Sequence, residues 1–451
     1  MIQVHNTMGR ALVDFVPRDG GKVGMYVCGP TVQSEPHVGH GRYAVAFDVI
    51  RRYLTWRGFV VTYVSNITDV EDKIIAAAQE LGEPVEQHAI RMTQRFTDSF
   101  RRLGVLAPDI EPKASEHIPE MLDMIGRLID RGLAYQRHGD VYFSVKTLES
   151  YGRLSGRKPD ELLSGYRIEV DEEKEDPLDF ALWKAAKPGE PTWGSPWGPG
   201  RPGWHIECSA MAAKYLGDGF DIHGGGLDLV FPHHENEVAQ SEGATGETFA
   251  RYWLHNGMVN LDGEKMAKST GRIVDLESIL DSRGGRALRL LYVRAHYRSP
   301  IEFSEELLED ATESLDRLQR FRERVASGAP DQGAIDRFRE VMDDDFGTPQ
   351  AISLLFDLVR EGNRLADEGG DATAIAGAVE EIVAVLGLDD ASPAPAVQGT
   401  MSDEEIEDLV EERDSARNQR RFEDADEIRD RLAAAGVRIE DGPHGSRWVR
   451  K

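Results

Sequence analysis

The fold is decided between residues 23 and 64, VGMYVCGPTVQSEPHVGHGRYAVAFDVIRRYLTWRGFVVTYV. Val23–Val27 has the apolar composition of a buried strand, and a Gly-Pro turn follows it closely. Apolar residues at helical spacing come next, over residues 39–57, and Val60–Val64 has the composition of a second strand. This strand–helix–strand order is typical of a parallel, doubly wound α/β sheet.

The sheet pattern is interrupted and then returns. Residues 118–219 are irregular and carry a stretch rich in Trp, Pro and Gly, which predicts an inserted domain. Strand character returns over Phe220–Phe231, and a helix is predicted from about His233 to Gln240. From Ser304 onward the pattern predicts helices through Gly387, a proline-containing linker at Ser392–Thr400, a helix over Glu404–Ala435, and a strand–turn–strand end around Asp441-Gly442.

Composition excludes several classes of protein. The chain has 451 residues, of which 40% are hydrophobic and 8% aromatic, enough to build real cores, so wholesale disorder is excluded. Two cysteines cannot form a disulfide framework in a chain of this length, which indicates a reducing compartment. No apolar run approaches the roughly 18 residues that cross a bilayer, and the first residues lack a signal-peptide pattern. We expect a cytoplasmic protein with no membrane segment.

The charge balance is strongly acidic. The chain carries 53 basic and 80 acidic residues, a net charge of −27, and only 12 of its basic residues are Lys. Dispersed acids with little Lys suggest a surface adapted to a salty, halophilic cytosol, since at about 1 M salt the Debye length falls to roughly 3 Å and self-repulsion is screened. An ordinary acidic protein is the alternative. Nucleic-acid partners are not excluded, because local basic patches decide such binding.

Four potential metal ligands are Cys28, Cys208, His233 and Glu237. His233 and Glu237 are four residues apart, which places both side chains on one face of a helix. Thiolates, an imidazole and a carboxylate suit tetrahedral Zn²⁺. The two cysteines are 180 residues apart, however, so no zinc-finger spacing applies. By spacing alone, two ordinary buried cysteines explain the pattern as well.

Two further segments could bind phosphates. In His37–His40 (HVGH), two imidazoles stand at the start of the predicted helix, where free N–H groups and the helix dipole favour an anion. In Lys265–Ser269 (KMAKS), two lysines stand three residues apart near glycines, and they could clamp a polyphosphate. Taken singly, a pair of surface histidines and a solvated basic loop remain open alternatives. The chain has no P-loop motif.

Taken together and in order, these pieces resemble the cysteinyl-tRNA synthetases, a family of class I aminoacyl-tRNA synthetases. The resemblance covers nearly the whole chain. It rests on MYVCGPTV (Met25–Val32), HVGH (His37–His40), NITDVEDKI (Asn66–Ile74), GRPGWHIECSAM (Gly200–Met211), DIHGGG (Asp221–Gly226), FPHHENEVAQ (Phe231–Gln240), KMAKS (Lys265–Ser269) and EDGPHG (Glu440–Gly445).

The resemblance implies an α/β fold: a Rossmann-type parallel-sheet catalytic domain with an inserted domain, then a helical bundle and a small C-terminal anticodon-binding domain. The expected boundaries are 1–117 and 220–260 for the two halves of the catalytic domain, 118–219 for the inserted connective domain, 261–303 for a connecting fold with the KMAKS loop, 304–387 for the tRNA-binding helical bundle, and 388–451 for the linker and anticodon-binding domain.

The resemblance also implies chemistry. Cysteine and ATP would form cysteinyl-adenylate and pyrophosphate, and cysteine would then pass to the 3′ end of tRNA(Cys), with Mg²⁺ accompanying ATP. One Zn²⁺ per subunit would be held by the four ligands above and would recognise the substrate thiol. His37, His40, Lys265 and Lys268 would be catalytic, and Gly39 would join His37, His40 and Lys268 in binding ATP. The expected substrate contacts are Gly29, Thr31, Thr68, Trp204 and Asp228, with Asp228 as a partner for the substrate ammonium.

Two rival functions share these residues. One is a cysteine ligase that joins activated cysteine to an amino sugar, an enzyme without an anticodon-binding domain. The other is a catalytically inactive RNA-binding relative. The expected partners are L-cysteine, ATP and tRNA(Cys), with a monomer favoured. The motif HVGH and the two lysines of KMAKS argue for the active synthetase.

Overall fold

The computed structural model describes residues 1–157, 174–261, 263–266 and 273–389, together with scattered residues from 406 to 432 and the backbone of 437–442 and 445–450. The chain divides into two compact units, Met1–Ser392 and Pro393–Lys451. The strands are β1 (Gln3–Asn6), β2 (Ala11–Asp14), β3 (Lys22–Val27), β4 (Val60–Ser65), β5 (Ala134–Arg137), β6 (Asp140–Phe143), β7 (Phe180–Ala185), β8 (Gly200–Pro202), β9 (Phe220–Gly226), β10 (Ala250–Asn256), β11 (Val259–Leu261), β12 (Glu264–Lys265), β13 (Ile301–Glu302), β14 (Val437–Gly442) and β15 (Gly445–Arg450).

Twelve α-helices are found among the described residues. They are α1 (Val38–Trp56), α2 (Asp72–Leu81), α3 (Val85–Arg102), α4 (Ile118–Asp130), α5 (Trp204–Leu216), α6 (Glu235–Thr245), α7 (Leu276–Arg283), α8 (Gly285–Arg294), α9 (Glu305–Arg324), α10 (Gln332–Asp343), α11 (Thr348–Asp367) and α12 (Thr373–Leu386). In the described parts of the chain, no helix combines the length and the apolar composition that crossing a membrane requires.

The core of the first unit is a four-stranded parallel sheet in the order β10–β9–β3–β4. Its central strands are buried because helices cover both faces of such a sheet. The predicted Rossmann-type α/β class is confirmed, and the opening strand, helix and strand fall within two residues of the structure. Two halves far apart in sequence join here, since Val27 pairs with Ser65 on one side and with Gly224 on the other.

Between β4 and β9 the chain forms a second, antiparallel sheet in the order β5–β6–β7–β8. Helices α4 and α5 flank it in sequence. The charged run at Glu169–Asp176 lies mostly outside the described residues. The helix predicted from about His233 to Gln240 is found: a helical turn over Val230–His234, broken only by the extended Phe231 (φ −141°, ψ 131°), leads directly into α6.

After β10 come a small sheet, β12–β11–β13, and then the helices α7 to α12. The helical character predicted from Ser304 to Gly387 is thereby confirmed. In the second unit, β14 and β15 pair as an antiparallel hairpin, with Glu440 opposite Arg447, as the strand–turn–strand pattern predicts. The linker and most of the helix predicted over Glu404–Ala435 lie outside the described residues.

A buried ion pair joins the sheet domain to the helices that follow it. Arg289 on α8 and Asp48 on α1 are both almost completely buried, and they hydrogen-bond to each other. Arg289 also donates to the backbone oxygens of Leu103 and Leu386, so one guanidinium fastens three segments. Burial opposes ionisation of Asp48, but Arg289 and Arg52 outweigh it and lower the pKa of this carboxyl.

We predict that Asp48→Asn lowers the free energy of unfolding by about 3–5 kcal/mol at pH 7, because it leaves Arg289 buried without a counter-charge. The folded pKa of Asp48 is depressed, so its contribution is complete above the unfolded value of about 3.9 and is lost as the pH falls through the lower folded value. The difference in the free energy of unfolding between variant and parent, measured by urea denaturation, should therefore become smaller below about pH 4. Asp357→Asn removes an exposed ion pair with Arg360 and serves as the control, with little expected effect. Equal losses of unfolding free energy in both variants would contradict a stabilising role for the buried ion pair.

Candidate metal centre and active site

The site lies at the carboxyl ends of β3 and β9, the edge where open parallel sheets place their ligands. Cys28 directly follows β3, and its N–H still bonds to Gly224 of β9 over 3.0 Å. Cys208 comes from the buried face of α5, and Glu237 comes from the first turn of α6. Segments about 180 residues apart in sequence therefore converge on one edge.

The four predicted metal ligands are brought together. The donor atoms of Cys28, Cys208, His233 and Glu237 all lie within 4.8 Å of one another, and all four residues are buried. Cys28 Sγ is 3.6 Å from His233 Nε2 and 3.3 Å from Glu237 Oε1. Zinc bonds of about 2.0–2.3 Å separate tetrahedral donor atoms by roughly 3.3–3.8 Å. The cluster therefore matches the dimensions and the donor chemistry of a soft divalent cation.

The pKa values of the clustered side chains also fit a site for a cation. Burial raises the pKa of the Cys28 thiol, and the neighbouring Cys208 and Glu237 raise it further. The pKa of Cys208 is also raised, because desolvation and two nearby carboxylates outweigh its stabilising hydrogen bond with Cys28. Burial and the neighbouring histidines lower the pKa of His233 far below its usual value, so its ring is neutral. A cation is the partner that would favour thiolates beside a neutral imidazole.

Neighbouring side chains hold the ligands in place. The Nδ1 atoms of His205 and His233 lie 2.8 Å apart, which leaves His233 Nε2 facing the cluster. His223 Nε2 lies 2.9 Å from Glu237 Oε2, so the carboxylate presents its other oxygen to the cluster. Such outer contacts orient metal ligands in proteins. The sequence pattern gave no reason to single out His205 or His223, although both lie inside the quoted motifs.

A second set of donors overlaps the first. It consists of Cys28, His223, His234 and Glu237, whose donor atoms also lie within 4.8 Å of one another. His234 Nδ1 is 2.8 Å from His255 Nε2, and its Nε2 has no hydrogen-bond partner among the described residues. The alternative set lacks the second thiol, so the set with both cysteines has the softer donors and suits zinc better.

Four of the predicted substrate contacts surround the cluster. Asn66 contacts Gly29, Thr68 and Cys208. Its Oδ1 accepts a hydrogen bond from Gly29 N at 2.9 Å and lies 3.6 Å from Cys208 Sγ. Its Nδ2 is 3.2 Å from Thr68 Oγ1. Thr31 and Thr68 face each other across a parallel bridge. Trp204 stacks on the ring of His233, with centroids 4.4 Å apart. These contacts leave a polar floor and an aromatic wall beside the metal ligands.

Asp228 is exposed, in the short turn Leu227–Leu229 that follows β9, and it lines a cavity with Val230 and Phe231. The structure thus links Gly29, Thr31, Thr68 and Trp204 to the cluster or to one another by direct contacts.

The HVGH segment begins α1. His37 is the residue before the helix, and its N–H donates to His40 Nδ1 over 3.1 Å. The two rings stack, with centroids 3.6 Å apart. A side chain at Gly39 would press on the His37 ring and on Met266, so this glycine lets the KMAKS segment approach the helix start. Lys265 ends β12, and Lys268 lies outside the described residues.

Comparison with known proteins gives a concordant result. The model of the class I (C) tRNA synthetase catalytic domain matches residues 14–313, the DALR domain matches 337–388, and the cysteinyl-tRNA ligase anticodon-binding domain matches 402–448. In three dimensions the chain is similar to Mycobacterium tuberculosis methionyl-tRNA synthetase in complex with methionyl-adenylate, with a TM-score of 0.62 and 16% identity over 81% of this chain and 90% of the other. The chain therefore has the fold and the catalytic domain of a class I aminoacyl-tRNA synthetase.

Curated relatives narrow the family. The chain is 50% identical to the cysteine–tRNA ligase of Syntrophotalea carbinolica, covering 99% of both chains. It is 49% identical to the cysteine–tRNA ligase of Chromohalobacter salexigens, again over 99% of each, and 49% identical to that of Halorhodospira halophila over 100% of each. The chain therefore belongs to the cysteine–tRNA ligase family.

We predict that Gly29→Ala lowers the free energy of unfolding by about 1–3 kcal/mol, because the new methyl group would occupy the space of the Asn66 carbonyl oxygen. Gly24→Ala, on the strand that leads to the site, is the matched control: its methyl group would meet Leu216 and Phe220 at an ordinary 3.5 Å. Urea denaturation compares the two variants. Equal stability of both would show that the backbone at Gly29 has room to move.

Proposed function

We propose that this chain activates L-cysteine with ATP and transfers the cysteinyl group to the 3′ end of tRNA(Cys), with one Zn²⁺ per subunit as its cofactor. The observation that carries the proposal is the buried cluster of Cys28, Cys208, His233 and Glu237 in a member of the cysteine–tRNA ligase family. A cytoplasmic monomer is the expected form. The domain boundaries expected from the sequence are part of the same proposal.

The donor set suits the amino acid to be selected. Cysteine differs from serine only by sulfur in place of oxygen, and shape-based discrimination of near-isosteres yields only about 10–200-fold. Bound Zn²⁺ would lower the pKa of the substrate thiol and favour a thiolate over a hydroxyl. In this proposal Cys28, Cys208 and His233 hold the ion firmly.

Glu237 is the ligand we expect to yield to the substrate sulfur. One of its oxygens already contacts His223 at 2.9 Å, so the carboxylate keeps a partner when the other oxygen leaves the cluster. Trp204, stacked on His233, would cover the bound amino acid and exclude water from it. Gly29, Thr31 and Thr68 would bind its polar groups, and Asp228 its ammonium.

Activation needs no protein nucleophile. A carboxylate oxygen of cysteine attacks the α-phosphorus of ATP in line, a new C–O–P bond forms, and the bond to the bridging oxygen breaks to release pyrophosphate. The chain's task is positioning and charge stabilisation. We assign the phosphates of Mg·ATP to His37, His40 and the backbone at Gly39, and the departing pyrophosphate to Lys265 and Lys268.

The rival functions make different demands on the chain. A ligase that acts on an amino sugar has no use for an anticodon-binding domain, whereas residues 402–448 match that domain. A catalytically inactive RNA-binding relative would support no exchange of pyrophosphate into ATP. The comparison therefore favours the tRNA ligase, and an activity measurement separates it from the inactive relative.

We predict cysteine-dependent ATP–pyrophosphate exchange and cysteinylation of tRNA(Cys) by the purified chain, both lost on zinc chelation. Cys208→Ser should bind no zinc and should lose at least about 100-fold in cysteine activation, because a hydroxyl is a poor soft-metal ligand. Metal content and exchange rate are the measurements. In chelator, variant and parent should unfold at similar urea concentrations, which controls for the fold. Full activity with serine at position 208 would refute the zinc site.

We also predict that Lys268→Ala slows adenylate formation by about 10²–10³-fold while changing cysteine binding less than about twofold, because its charge acts on the developing pyrophosphate. Single-turnover kinetics separates the two steps. Lys22→Ala, which removes an exposed lysine paired with Asp19, is the control and should leave both steps unchanged. Parallel losses of binding and rate in Lys268→Ala would contradict a role in the transition state.

A further inference from the structure

Tyr26 is a buried polar residue that the mechanism above does not use. It lies on β3, its relative exposure is 0%, and its hydroxyl has no hydrogen-bond partner among the described residues. An unpaired buried hydroxyl is destabilising, because it has lost its hydrogen bonds to water and gained none in return. A group kept at such a cost points to a partner that the polypeptide alone does not supply.

The sheet directs Tyr26 to the face that carries the metal ligands. Side chains two residues apart on a strand share a face, so Tyr26 and Cys28 point to the same side. Tyr26 is paired in register with His223 of β9, the residue that contacts Glu237, and their rings lie 5.4 Å apart between centroids. Tyr26 therefore packs in one buried cluster with Cys28 and Cys208.

The polar groups that face the phenol belong to the metal centre. The Cys208 thiol lies within hydrogen-bonding reach of the hydroxyl, and Cys28 and Glu237 act on it through their charge. A neutral thiol is a weak acceptor, and the contact with Cys208 does not have the geometry of a hydrogen bond. Burial above all raises the pKa of Tyr26 well above its ordinary value, so the phenol keeps its proton and is available as a donor.

A metal-bound thiolate is a much better acceptor than a thiol. A coordinating thiol is deprotonated, so the sulfur of Cys208 would carry negative charge when it binds a cation. Hydrogen bonds to charged acceptors are roughly twice as strong as those between neutral groups. The hydroxyl of Tyr26 would then have the partner that it otherwise lacks.

We propose that Tyr26 is a positioning residue of the metal centre, whose phenol O–H donates a hydrogen bond to the Cys208 thiolate when the cation is bound. The inference rests on the proposed function, in which Zn²⁺ occupies the cluster. His205 and His223 contact the imidazole and the carboxylate of the ligand set, and Tyr26 does the same for a sulfur. The bond draws negative charge from that sulfur, so more of the positive charge of the ion remains for the thiolate of the substrate.

The test uses Tyr26→Phe in the full chain, which removes the hydroxyl and keeps the ring. The dissociation constant for Zn²⁺, measured by competition with a chelator, should rise about 10–100-fold, the usual effect of losing an outer contact to a metal ligand. With Co²⁺ in place of Zn²⁺, the thiolate-to-metal charge-transfer band should move to longer wavelength, because the sulfur that has lost a hydrogen bond holds its electrons less tightly. KM for cysteine in ATP–pyrophosphate exchange should rise, while kcat changes less than about twofold.

Stability separates this role from a merely structural one. In a chelator, Tyr26→Phe should unfold at the same urea concentration as the parent or at a higher one, because an unpaired buried hydroxyl has been removed. With Zn²⁺ added the order should reverse, because the parent binds the ion more tightly and is stabilised more by it. A tyrosine that only fills the core would instead lose stability in both conditions when its hydroxyl is removed.

Tyr252→Phe is the matched control. Tyr252 is a buried tyrosine on β10 of the same sheet, and its hydroxyl donates to the backbone oxygen of Asp14 at 3.1 Å and accepts from Val16 N at 3.0 Å. This variant should lose stability both in chelator and in Zn²⁺, because it breaks hydrogen bonds that do not involve the metal centre. Its affinity for Zn²⁺ and its cobalt band should match those of the parent.

The proposal is overturned if Tyr26→Phe keeps the affinity of the parent for Zn²⁺ and leaves the cobalt band in place, whatever happens to activity. Should Tyr26→Phe fail to fold, infrared difference spectra of the parent with and without Zn²⁺ give a readout that needs no variant. The C–O stretch of one tyrosine should shift toward that of a hydrogen-bond donor, and no shift would overturn the proposal. Failure of the unaltered chain to bind Zn²⁺ would instead overturn the proposed function, so the two failures are distinguishable.

Discussion

The convergence of two thiols, an imidazole and a carboxylate within 4.8 Å is the constraint on which the rest of the structure depends. These groups would be costly to bury as unpaired charges, and burial alone moves the thiols and the imidazole toward their neutral forms. A shared cation would make four such donors favourable in one dry place. The sheet, α5 and α6 are all needed to bring those donors together.

Around this centre the chain fixes side chains by contacts that leave little freedom. Asn66 ties the turn after β3 to α5, and His223 and His205 each orient one ligand. Close backbone approach at Gly29 makes the first of these contacts possible. Rigid support of this kind is what a site needs if it must tell sulfur from oxygen without a second, editing reaction.

The acidic balance of the chain has its own consequence for a tRNA ligase. A net charge of −27 repels nucleic acid at long range, so recognition must come from local cations. The fold would have to place such cations locally, because the surface as a whole carries the opposite charge.

The sequence by itself determined the parallel α/β class and the order of the elements, and its motifs, taken together, predicted the four side chains that the structure brings into one cluster. The periodicity of strands and helices and the turn residues are local signals, so they can be recognised in the sequence without a structure. It also indicated Gly29, Thr31, Thr68 and Trp204 as neighbours of one site through the motifs that carry them.

Tertiary structure alone decided three further features. It brought Cys28 and Cys208 together, because only the pairing of β3 with β9 and the packing of α5 remove 180 residues of separation. It placed Asp228 in one cavity lining with Thr7 and Ser155, and it joined Arg10 to Ser155 across 145 residues. Long-range contacts of this kind leave no periodic trace in the chain, because they depend on how separate elements pack and not on the order of residues within any one of them.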